Sequence, residues 1–215
     1  MADIKAVIFD LDGTVTDTEK FYQKAWPEAL THFGYEVKPG MALELRSLGR
    51  PFAQAQFREW FGESFDYEEV RSYRKKLIRD ILDKEGIPLK PNAVETLTAL
   101  REKGITVALA TANDYQRTMG YLNEIGIADL FDKVICADMV KCGKPAPDIY
   151  AYACESLGID PSEAFAVEDS PNGVKSAYGA GLNVIMIPDM TEPDDEIRPM
   201  LYARLDGLID ILGLF

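Results

Sequence analysis

Short apolar runs recur along the chain and alternate with stretches of helical periodicity. Runs this short and this apolar are typical of strands buried in a parallel sheet. We predict strands at residues 5–10, 105–110, 133–137, 164–167 and 183–187. The stretches between the later runs predict helices at about 92–103, 114–125, 146–157 and 171–180. Alternating strands and helices form βαβ units, so the pattern indicates an α/β fold with a parallel sheet and helices on both of its faces.

One long segment interrupts this alternation directly after the first strand. From about residue 18 to residue 84 the apolar residues recur with helical spacing, without strand-like runs. Pro27 lies inside the first helical stretch and is expected to kink or break that helix. We interpret the segment as an all-helical domain, residues 17–85, inserted into a core that residues 1–16 and 86–215 form.

The last helix of the insert has the clearest pattern. Asp66 is predicted to cap it, and four apolar residues at helical spacing are predicted to form its buried stripe: Val70, Tyr73, Leu77 and Ile81. The same helix carries a basic run at 71–80. Such a run either attracts anionic substrates or is the solvated face of an amphipathic helix, and the second interpretation is the more usual one.

Composition narrows the classes of partner. The 215 residues are 47% hydrophobic, which is enough to fill a large core, and carry a net charge of −13. An acidic protein does not bind nucleic acid or an anionic membrane non-specifically, so we expect neither as a partner. No apolar segment typical of a signal peptide or a membrane span is found, and we expect a cytoplasmic protein that is a monomer or a small homo-oligomer.

Cysteine and histidine usage narrows the chemistry further. The cysteines Cys136, Cys142 and Cys154 form no C-x-x-C pair, so we interpret them as reduced structural thiols. The single histidine, His32, excludes multi-histidine metal sites, and we interpret it as an ordinary residue of a helix or its end. A metal ion bound here would therefore have oxygen ligands, which favours Mg²⁺ or a similar hard cation.

Polar residues follow the predicted strands at the edge where ligands bind in open parallel sheets. Asp10 and Asp12 follow the first run, and Thr111 and Asn113 follow the second. After the next two runs come Lys144 and then Glu168, Asp169 and Ser170. Taken singly, these are more often turn, cap or solvated loop residues. Their arrival at successive strand ends favours a shared site.

This set of groups fits phosphoryl transfer through an aspartyl phosphate. Asp10 and Asp169, with Glu168 nearby, fit a Mg²⁺ site that offsets their mutual repulsion. Asp10 would attack the phosphate while Lys144 and Thr111 stabilise and orient its oxygens. Asp12 lies on the same side of the chain if the strand continues, where it would protonate the leaving alcohol and then activate water. Gly13 and Thr14 would let the backbone turn away from the phosphate.

Four segments resemble the motifs of the haloacid dehalogenase superfamily of phosphotransferases, in the order and spacing of that family. They are DLDGTVTDT, LATAN, KCGKPAPDIY and VEDSPNGVKSA. The helical insert is similar to the mobile cap of the subgroup that contains phosphoglycolate phosphatase and beta-phosphoglucomutase. The resemblance covers the whole chain and implies a Rossmann-like three-layer core with an inserted helical cap that sets specificity.

The resemblance also implies roles for individual residues. Asp10 would be the nucleophile and Asp12 the general acid/base, with Thr111 and Lys144 as phosphate ligands. Mg²⁺ would be bound by Asp10, Asp169 and the carbonyl of Asp12, with Glu168 in support. Asn113 is predicted to contact the substrate. Arg50 lies where related caps contribute a cationic substrate contact, and a surface salt bridge is an equally weighted interpretation.

Departures from the family pattern favour a hydrolase. Asp12 argues for phosphate chemistry, because the dehalogenases of the superfamily lack the second aspartate. The sugar mutases carry a histidine where this chain has Tyr22 and a lysine where it has Asp114. The phosphonate-cleaving relatives need a Schiff-base lysine in the cap, and Lys20 and Lys24 are the candidates for it, although a surface charge is the more usual interpretation.

The leading hypothesis is a Mg²⁺-dependent phosphatase of small phosphorylated metabolites, sugar phosphates first. A phosphosugar mutase is the alternative within the family. A phosphoacceptor signalling module also combines Asp, Mg²⁺, Thr and Lys at a sheet edge, but it is shorter and has no helical insert after the first strand. A catalytically silent interaction protein ranks below both. The acidic segment 189–199 is interpreted as a surface loop without an assigned function.

Overall fold

The computed structural model describes residues 3–215, and within that range the chain forms a six-stranded parallel sheet. The strands are β1 (Ala6–Phe9), β2 (Thr106–Thr111), β3 (Lys133–Cys136), β4 (Ala164–Glu168), β5 (Asn183–Met186) and β6 (Leu201–Arg204). Their order in the sheet is β3-β2-β1-β4-β5-β6. The five predicted strands are confirmed, and β1 lies between β2 and β4. Residues 1 and 2 of the predicted core lie outside the described residues.

The helices are α1 (Glu19–His32), α2 (Met41–Glu44), α3 (Phe52–Phe61), α4 (Tyr67–Glu85), α5 (Ala93–Glu102), α6 (Tyr115–Glu124), α7 (Asp148–Leu157) and α8 (Pro171–Gly179). The predicted helices between the later strands are confirmed, with ends that differ by one or two residues. No helix within residues 3–215 is both long and apolar enough to cross a bilayer.

Two apolar clusters cover the two faces of the sheet. Alternate residues of β1 point to opposite faces, so Ala6 and Ile8 join one cluster while Val7 and Phe9 join the other. Helices α7 and α8 pack on the first face, and α5 packs on the second. Helix, sheet and helix thus form three layers, which confirms the predicted α/β fold class.

The sequence pattern missed β6. This strand pairs with β5 at the edge of the sheet, and a register irregularity interrupts the pairing between Val184 and Ile185. Its side chains alternate between partly buried and exposed, so the segment has no continuous apolar run. An edge strand of this kind gives a weaker signal than the buried strands that precede it.

The segment between β1 and β2 begins with four helices, α1 to α4, which share an apolar cluster of their own around Phe57. Helices α1 and α4 pack against each other. Of the two expected effects of Pro27, the break is wrong, because α1 runs from Glu19 to His32 with Pro27 inside it, while the kink stays a prediction. The helical character of the insert is confirmed, while the exact domain boundaries at residues 17 and 85 stay a prediction.

The predicted apolar stripe of α4 is displaced in the structure. Asp66 caps the helix as predicted, since its side chain accepts a hydrogen bond from the Glu69 amide at 3.0 Å. The buried residues of the helix are Val70, Arg74, Ile78 and Leu82, whereas Tyr73, Leu77 and Ile81 are only partly buried. The spacing of apolar residues predicts a buried stripe without charge, whereas the buried stripe of the structure includes the arginine Arg74.

Candidate active site

The carboxyl ends of β2, β1 and β4 hold the predicted site residues. Asp10 directly follows β1, and its amide donates a hydrogen bond to the Val167 carbonyl of β4 at 2.9 Å. Thr111 is the last residue of β2, and Glu168 is the last residue of β4. These side chains converge because neighbouring parallel strands end at the same edge of the sheet. The predicted convergence is therefore present in the structure.

The ammonium group of Lys144 is fully buried among acidic groups. It donates to Asp10 Oδ1 at 2.5 Å, to Glu168 Oε1 at 2.6 Å and to the Ala110 carbonyl at 2.9 Å. The Tyr150 hydroxyl donates to the same Glu168 oxygen at 2.7 Å. Burial lowers the pKa of Lys144, but the adjacent Asp10 and Glu168 carboxylates outweigh burial and raise it. Lys144 is therefore a fixed positive charge at the strand ends.

Three buried carboxylates form a cluster beside this lysine. Asp10, Glu168 and Asp169 each offer an oxygen, and these oxygens lie within 4.8 Å of one another. Asp169 Oδ1 is buried without a hydrogen-bond partner among the described residues. Burial raises the pKa of Asp169 to about 7, although Arg46 beside it opposes the shift. Crowded hard oxygens, one of them unpartnered, fit a metal ion of the Mg²⁺ type.

Glu168 is less free to bind a cation than the two aspartates. Its Oε1 already accepts from Lys144 and Tyr150, and its Oε2 accepts from the Asp169 amide at 3.3 Å and the Ser170 hydroxyl at 3.4 Å. Ser170 in turn caps α8 by accepting from the Gly173 amide at 3.2 Å. The two aspartates are accordingly the stronger candidates for direct ligands, with Glu168 holding the cluster in place.

Asp12 lies apart from the carboxylate cluster. Its carboxylate accepts hydrogen bonds from the Thr18 hydroxyl at 2.5 Å and the Asn113 side-chain amide at 2.6 Å. The backbone turns after it at Gly13, whose φ is +90°, and a Cβ there would lie 2.4 Å from Asp169 Oδ2. The turn within the first motif therefore needs glycine. The predicted role of the Asp12 carbonyl as a metal ligand stays a prediction.

Arg46 is a site residue that the sequence interpretation missed. It lies after α2 in the helical insert, and its guanidinium donates to the Asp169 carbonyl at 2.6 Å and to Asp169 Oδ2 at 2.7 Å. Both side chains of this ion pair are 1% exposed. The contact spans 123 residues of sequence, so no local spacing pattern could have indicated it. It ties the helical insert directly to the carboxylate cluster.

Asp189 was also missed, because the acidic segment that it begins was interpreted as a surface loop. Its Oδ1 accepts from Lys90 Nζ at 2.5 Å, and its Oδ2 is buried without a hydrogen-bond partner among the described residues. A Cβ on Gly13 would lie 3.3 Å from that Oδ2. The charge of Asp189 also contributes to raising the pKa of Asp169. The first residue of the loop is therefore part of the site's surroundings.

A cavity of about 340 Å³ lies between the sheet edge and the helical insert. Asp10, Asp12, Thr111 and Asn113 line it from the sheet edge. Arg50 lines it from the insert, with 52% of its side chain exposed and its guanidinium 3.4 Å from Glu68. Arg50 thus forms a salt bridge and also lines the cavity, and its predicted contact with the substrate stays a prediction.

Tyr22 and Asp114, the two departures from the mutase pattern, also line the cavity. The Tyr22 hydroxyl accepts a hydrogen bond from Arg117, and Asp114 accepts one from Lys75 at 2.9 Å. Lys20 and Lys24 are absent from the described lining of the cavity, and Lys20 pairs instead with Asp17. His32 ends α1 and stacks on Tyr73, as expected for an ordinary helix-end residue.

Comparison with known proteins places the chain in a family. A profile of haloacid dehalogenase-like hydrolases matches residues 4–181. YhcW of Bacillus subtilis, named as a candidate phosphatase, is 32% identical over 221 residues, covering 98% of either chain. Fructose-1-phosphate phosphatase YqaB of Escherichia coli is 31% identical, covering 83% of this chain and 94% of its own. The crystal structure of CbbY from Rhodobacter sphaeroides with phosphate has a TM-score of 0.80 at 26% identity, covering 97% of this chain and 96% of its own.

The chain belongs to the haloacid dehalogenase-like hydrolases. The resemblance carried by the four motifs is confirmed, and so is the predicted enzyme class, a phosphoric monoester hydrolase. The individual roles of the site residues stay predictions.

Proposed function

We propose that this hydrolase is a Mg²⁺-dependent phosphatase of small phosphorylated metabolites, sugar phosphates first, and that it acts in the cytoplasm. The observation that carries the proposal is the placement of Asp10 between the buried Lys144 ammonium and the cavity. A carboxylate that borders a cavity, beside a fixed positive charge, suits attack on a phosphate group. The name of the relative YqaB, a fructose-1-phosphate phosphatase, supports a sugar phosphate as substrate.

In the proposed reaction, an oxygen of Asp10 attacks the phosphorus atom of the monoester. A bond forms between them while the bond from phosphorus to the ester oxygen breaks. Lys144 and the Thr111 hydroxyl stabilise and orient the phosphate oxygens. These groups are preorganised, because Lys144 is held by three acceptors and Thr111 ends a buried strand.

Asp12 is proposed to move the protons. In its protonated form it gives a proton to the leaving alkoxide, and as a carboxylate it then takes a proton from the water that attacks the aspartyl phosphate. The second attack breaks the bond between phosphorus and Asp10 and releases inorganic phosphate. Thr18 and Asn113 fix the orientation of the Asp12 carboxylate for both steps.

Asp10 and Asp169 are the residues proposed to hold Mg²⁺, with Glu168 in support. Mg²⁺ bound there would neutralise charge on the phosphate and on the carboxylates. The unpartnered, buried Asp169 Oδ1 supports this assignment. Phosphate release should therefore depend on the ion.

The test is release of inorganic phosphate from a panel of sugar phosphates and phosphoglycolate, with Mg²⁺ and with a chelator. We expect turnover that the chelator abolishes and that Asp10→Asn removes. Asp80→Asn removes an acidic charge from the exposed face of α4 and is the matched control. Full activity of Asp10→Asn would show that the nucleophile is another group, and isomerisation of a sugar phosphate without release would favour a mutase.

A further inference from the structure

The basic run of α4 divides between two environments. Lys75 pairs with Asp114 at 2.9 Å, and Arg79 pairs with Asp83 and Glu124, so these charges are neutralised. Arg71 and Arg74 instead line the cavity. The run is therefore not a solvated face throughout, because part of it is directed at the candidate active site.

Arg74 is the unusual member of this run. It is 6% exposed and stacks on Tyr22 and Trp26, with its guanidinium carbon 5.1 Å and 4.6 Å from the two ring centres. Its Nε is buried without a hydrogen-bond partner, and it forms no ion pair within residues 3–215. Burial lowers the pKa of Arg74 to about 10, which still leaves it charged at neutral pH. A buried charge without a counterion is costly unless a ligand supplies one.

Arg117 of α6 also lines the cavity, and like Arg74 it lies over the Tyr22 ring. It donates to the hydroxyls of Tyr22 and Tyr121, and its bonds to Tyr121 measure 2.9 Å and 3.0 Å. No carboxylate pairs with its guanidinium among the described residues. Arg71 forms only a long ion pair, because its guanidinium lies 3.8 Å from the nearest oxygen of Glu68. The guanidinium groups of Arg74 and Arg117, which both lie over the Tyr22 ring, thus present positive charge to the cavity without an ion pair among the described residues.

We propose that Arg74 and Arg117, with Arg71 in support, form a second anion site in the cavity. This distal anion site binds a phosphate or carboxylate that the substrate carries in addition to the phosphate attacked by Asp10. The inference rests on the proposed phosphatase function and narrows its substrates to small metabolites with a second anionic group. Arginine suits this task because its planar guanidinium forms two parallel hydrogen bonds to either anion.

The two proposed anion sites differ in how their positive charges are compensated. Around Asp10 the positive charge of Lys144 is already balanced by Asp10 and Glu168. Around Tyr22, Arg74 and Arg117 form no ion pair within residues 3–215, so the second anion would supply their partner. A substrate with one phosphate leaves Arg74 buried without a counterion, whereas a substrate with two anionic groups neutralises both ends.

The first experiment compares kcat/KM for two matched pairs of compounds. Fructose 1,6-bisphosphate against fructose 1-phosphate tests a second phosphate, and 3-phosphoglycerate against glycerol 3-phosphate tests a carboxylate. We expect the wild-type protein to favour the doubly anionic member of at least one pair by about tenfold or more, the usual scale for a charged hydrogen bond. Equal values within both pairs would overturn the distal anion site.

Variants then separate binding from folding. Arg74→Gln should lower kcat/KM for the doubly anionic member about tenfold more than for its singly anionic partner, mainly through KM. Arg74→Lys keeps the charge and should lose less. Arg79→Gln, on the same helix but paired with Asp83 and Glu124, is the matched control and should leave the preference unchanged. An equal loss on both members of a pair would mean that Arg74 has only a structural role.

Binding affinity, measured without turnover, tests the distal anion site separately from hydrolysis. Calorimetry with Asp10→Asn compares the affinity for fructose 1,6-bisphosphate with that for fructose 1-phosphate. We expect tighter binding of the bisphosphate and loss of the difference when Arg74→Gln is added. Absence of hydrolysis by the wild-type protein would refute the proposed function alone, whereas absence of the affinity difference would refute the distal anion site.

Discussion

At the scale of single residues, the candidate site is a balance of buried charges. Lys144 pairs with Asp10 and Glu168, and Arg46 pairs with Asp169, so each acid of the carboxylate cluster has a basic partner. Removing one partner from a buried ion pair costs more than the pair contributes, because the remaining charge is left without compensation. Substitutions of the basic residues should therefore affect both stability and activity.

Lys144→Met tests this balance. The variant leaves the Asp10 and Glu168 carboxylates buried without their cation, so we expect the free energy of unfolding to fall by about 3–5 kcal/mol. Loss of a preorganised charge should also lower kcat by about 100-fold or more. Urea unfolding and phosphate release measure the two effects. Lys133→Met, at an exposed lysine of β3, is the control, and unchanged stability of Lys144→Met would contradict the argument.

Glu19→Gln tests a second buried acid, which lines the cavity from α1. Burial raises the pKa of Glu19 well above its usual value of 4.5, although Gln23 and Arg46 oppose the shift. The folded protein therefore holds the Glu19 proton more tightly than the unfolded chain does. The stability from this group is fully present below pH 4.5 and is lost as the pH rises through the folded-state pKa.

We accordingly expect Glu19→Gln to exceed the wild-type protein in Tm at pH 8, and the difference to shrink towards pH 4.5. Thermal unfolding across that range measures it. Glu95→Gln, at an exposed position of α5, should show no such trend. A gain that is the same at every pH would mean that the charge of Glu19 is not the cause.

At the scale of secondary-structure elements, helix ends position the site. Ser170 caps α8 next to the carboxylate cluster, Asp114 caps α6 next to Arg117, and Asp66 caps α4, which carries Arg74. Each capping side chain accepts a hydrogen bond from a main-chain amide of the first turn, which otherwise has no partner within the helix. The caps therefore fix where each helix begins, and with it the position of the charged residues that the helix carries.

Asp66→Ala tests the cap of α4. The side chain accepts a hydrogen bond from the Glu69 amide at 3.0 Å, so its loss should lower the free energy of unfolding by about 1 kcal/mol. Asp66→Ser should retain most of the stability. Asp80→Ala, at an exposed position within the same helix, should not destabilise the protein. Equal effects of Asp66→Ala and Asp80→Ala in urea unfolding would exclude a capping role.

At the scale of the whole molecule, the helical insert meets the core through main chain as well as through Arg46. The Gly49 amide donates to the Lys144 carbonyl at 2.8 Å, and the Gly143 amide donates to the Arg50 carbonyl at 3.0 Å. A Cβ on Gly49 would lie 2.6 Å from the Gly143 Cα. The two backbones approach this closely only because both residues are glycine.

Gly49→Ala should therefore push the helical insert away from the core next to Lys144. We expect kcat/KM to fall about tenfold or more, because small displacements of substrate-positioning groups are costly. Gly120→Ala adds a methyl group in α6 with no atom within 4 Å and should keep full activity. Faster hydrogen exchange of the main-chain amides at positions 49 and 143 should accompany the loss, and wild-type kinetics in Gly49→Ala would contradict this prediction.

Local patterns in the sequence were enough to predict the fold class, the strands that carry the site, and the residues that follow them. Apolar runs and helical spacing are local patterns, and parallel strand ends must meet at one edge, so Asp10, Thr111, Lys144 and Asp169 could be predicted together. The caps at Asp66 and Ser170 were equally local.

Which charges meet across the molecule depends on long-range packing, which no local pattern encodes. The ion pair of Arg46 with Asp169, the approach of Asp189 to Gly13, and the burial of Arg74 among Tyr22 and Trp26 join segments that are distant in sequence. Periodicity assigns an arginine to the solvated face because burying a charge is unfavourable. The packing of α4 against α1 nevertheless buries Arg74, at the wall of the cavity. We propose that an anionic ligand in this cavity supplies the negative charge that Arg74 lacks.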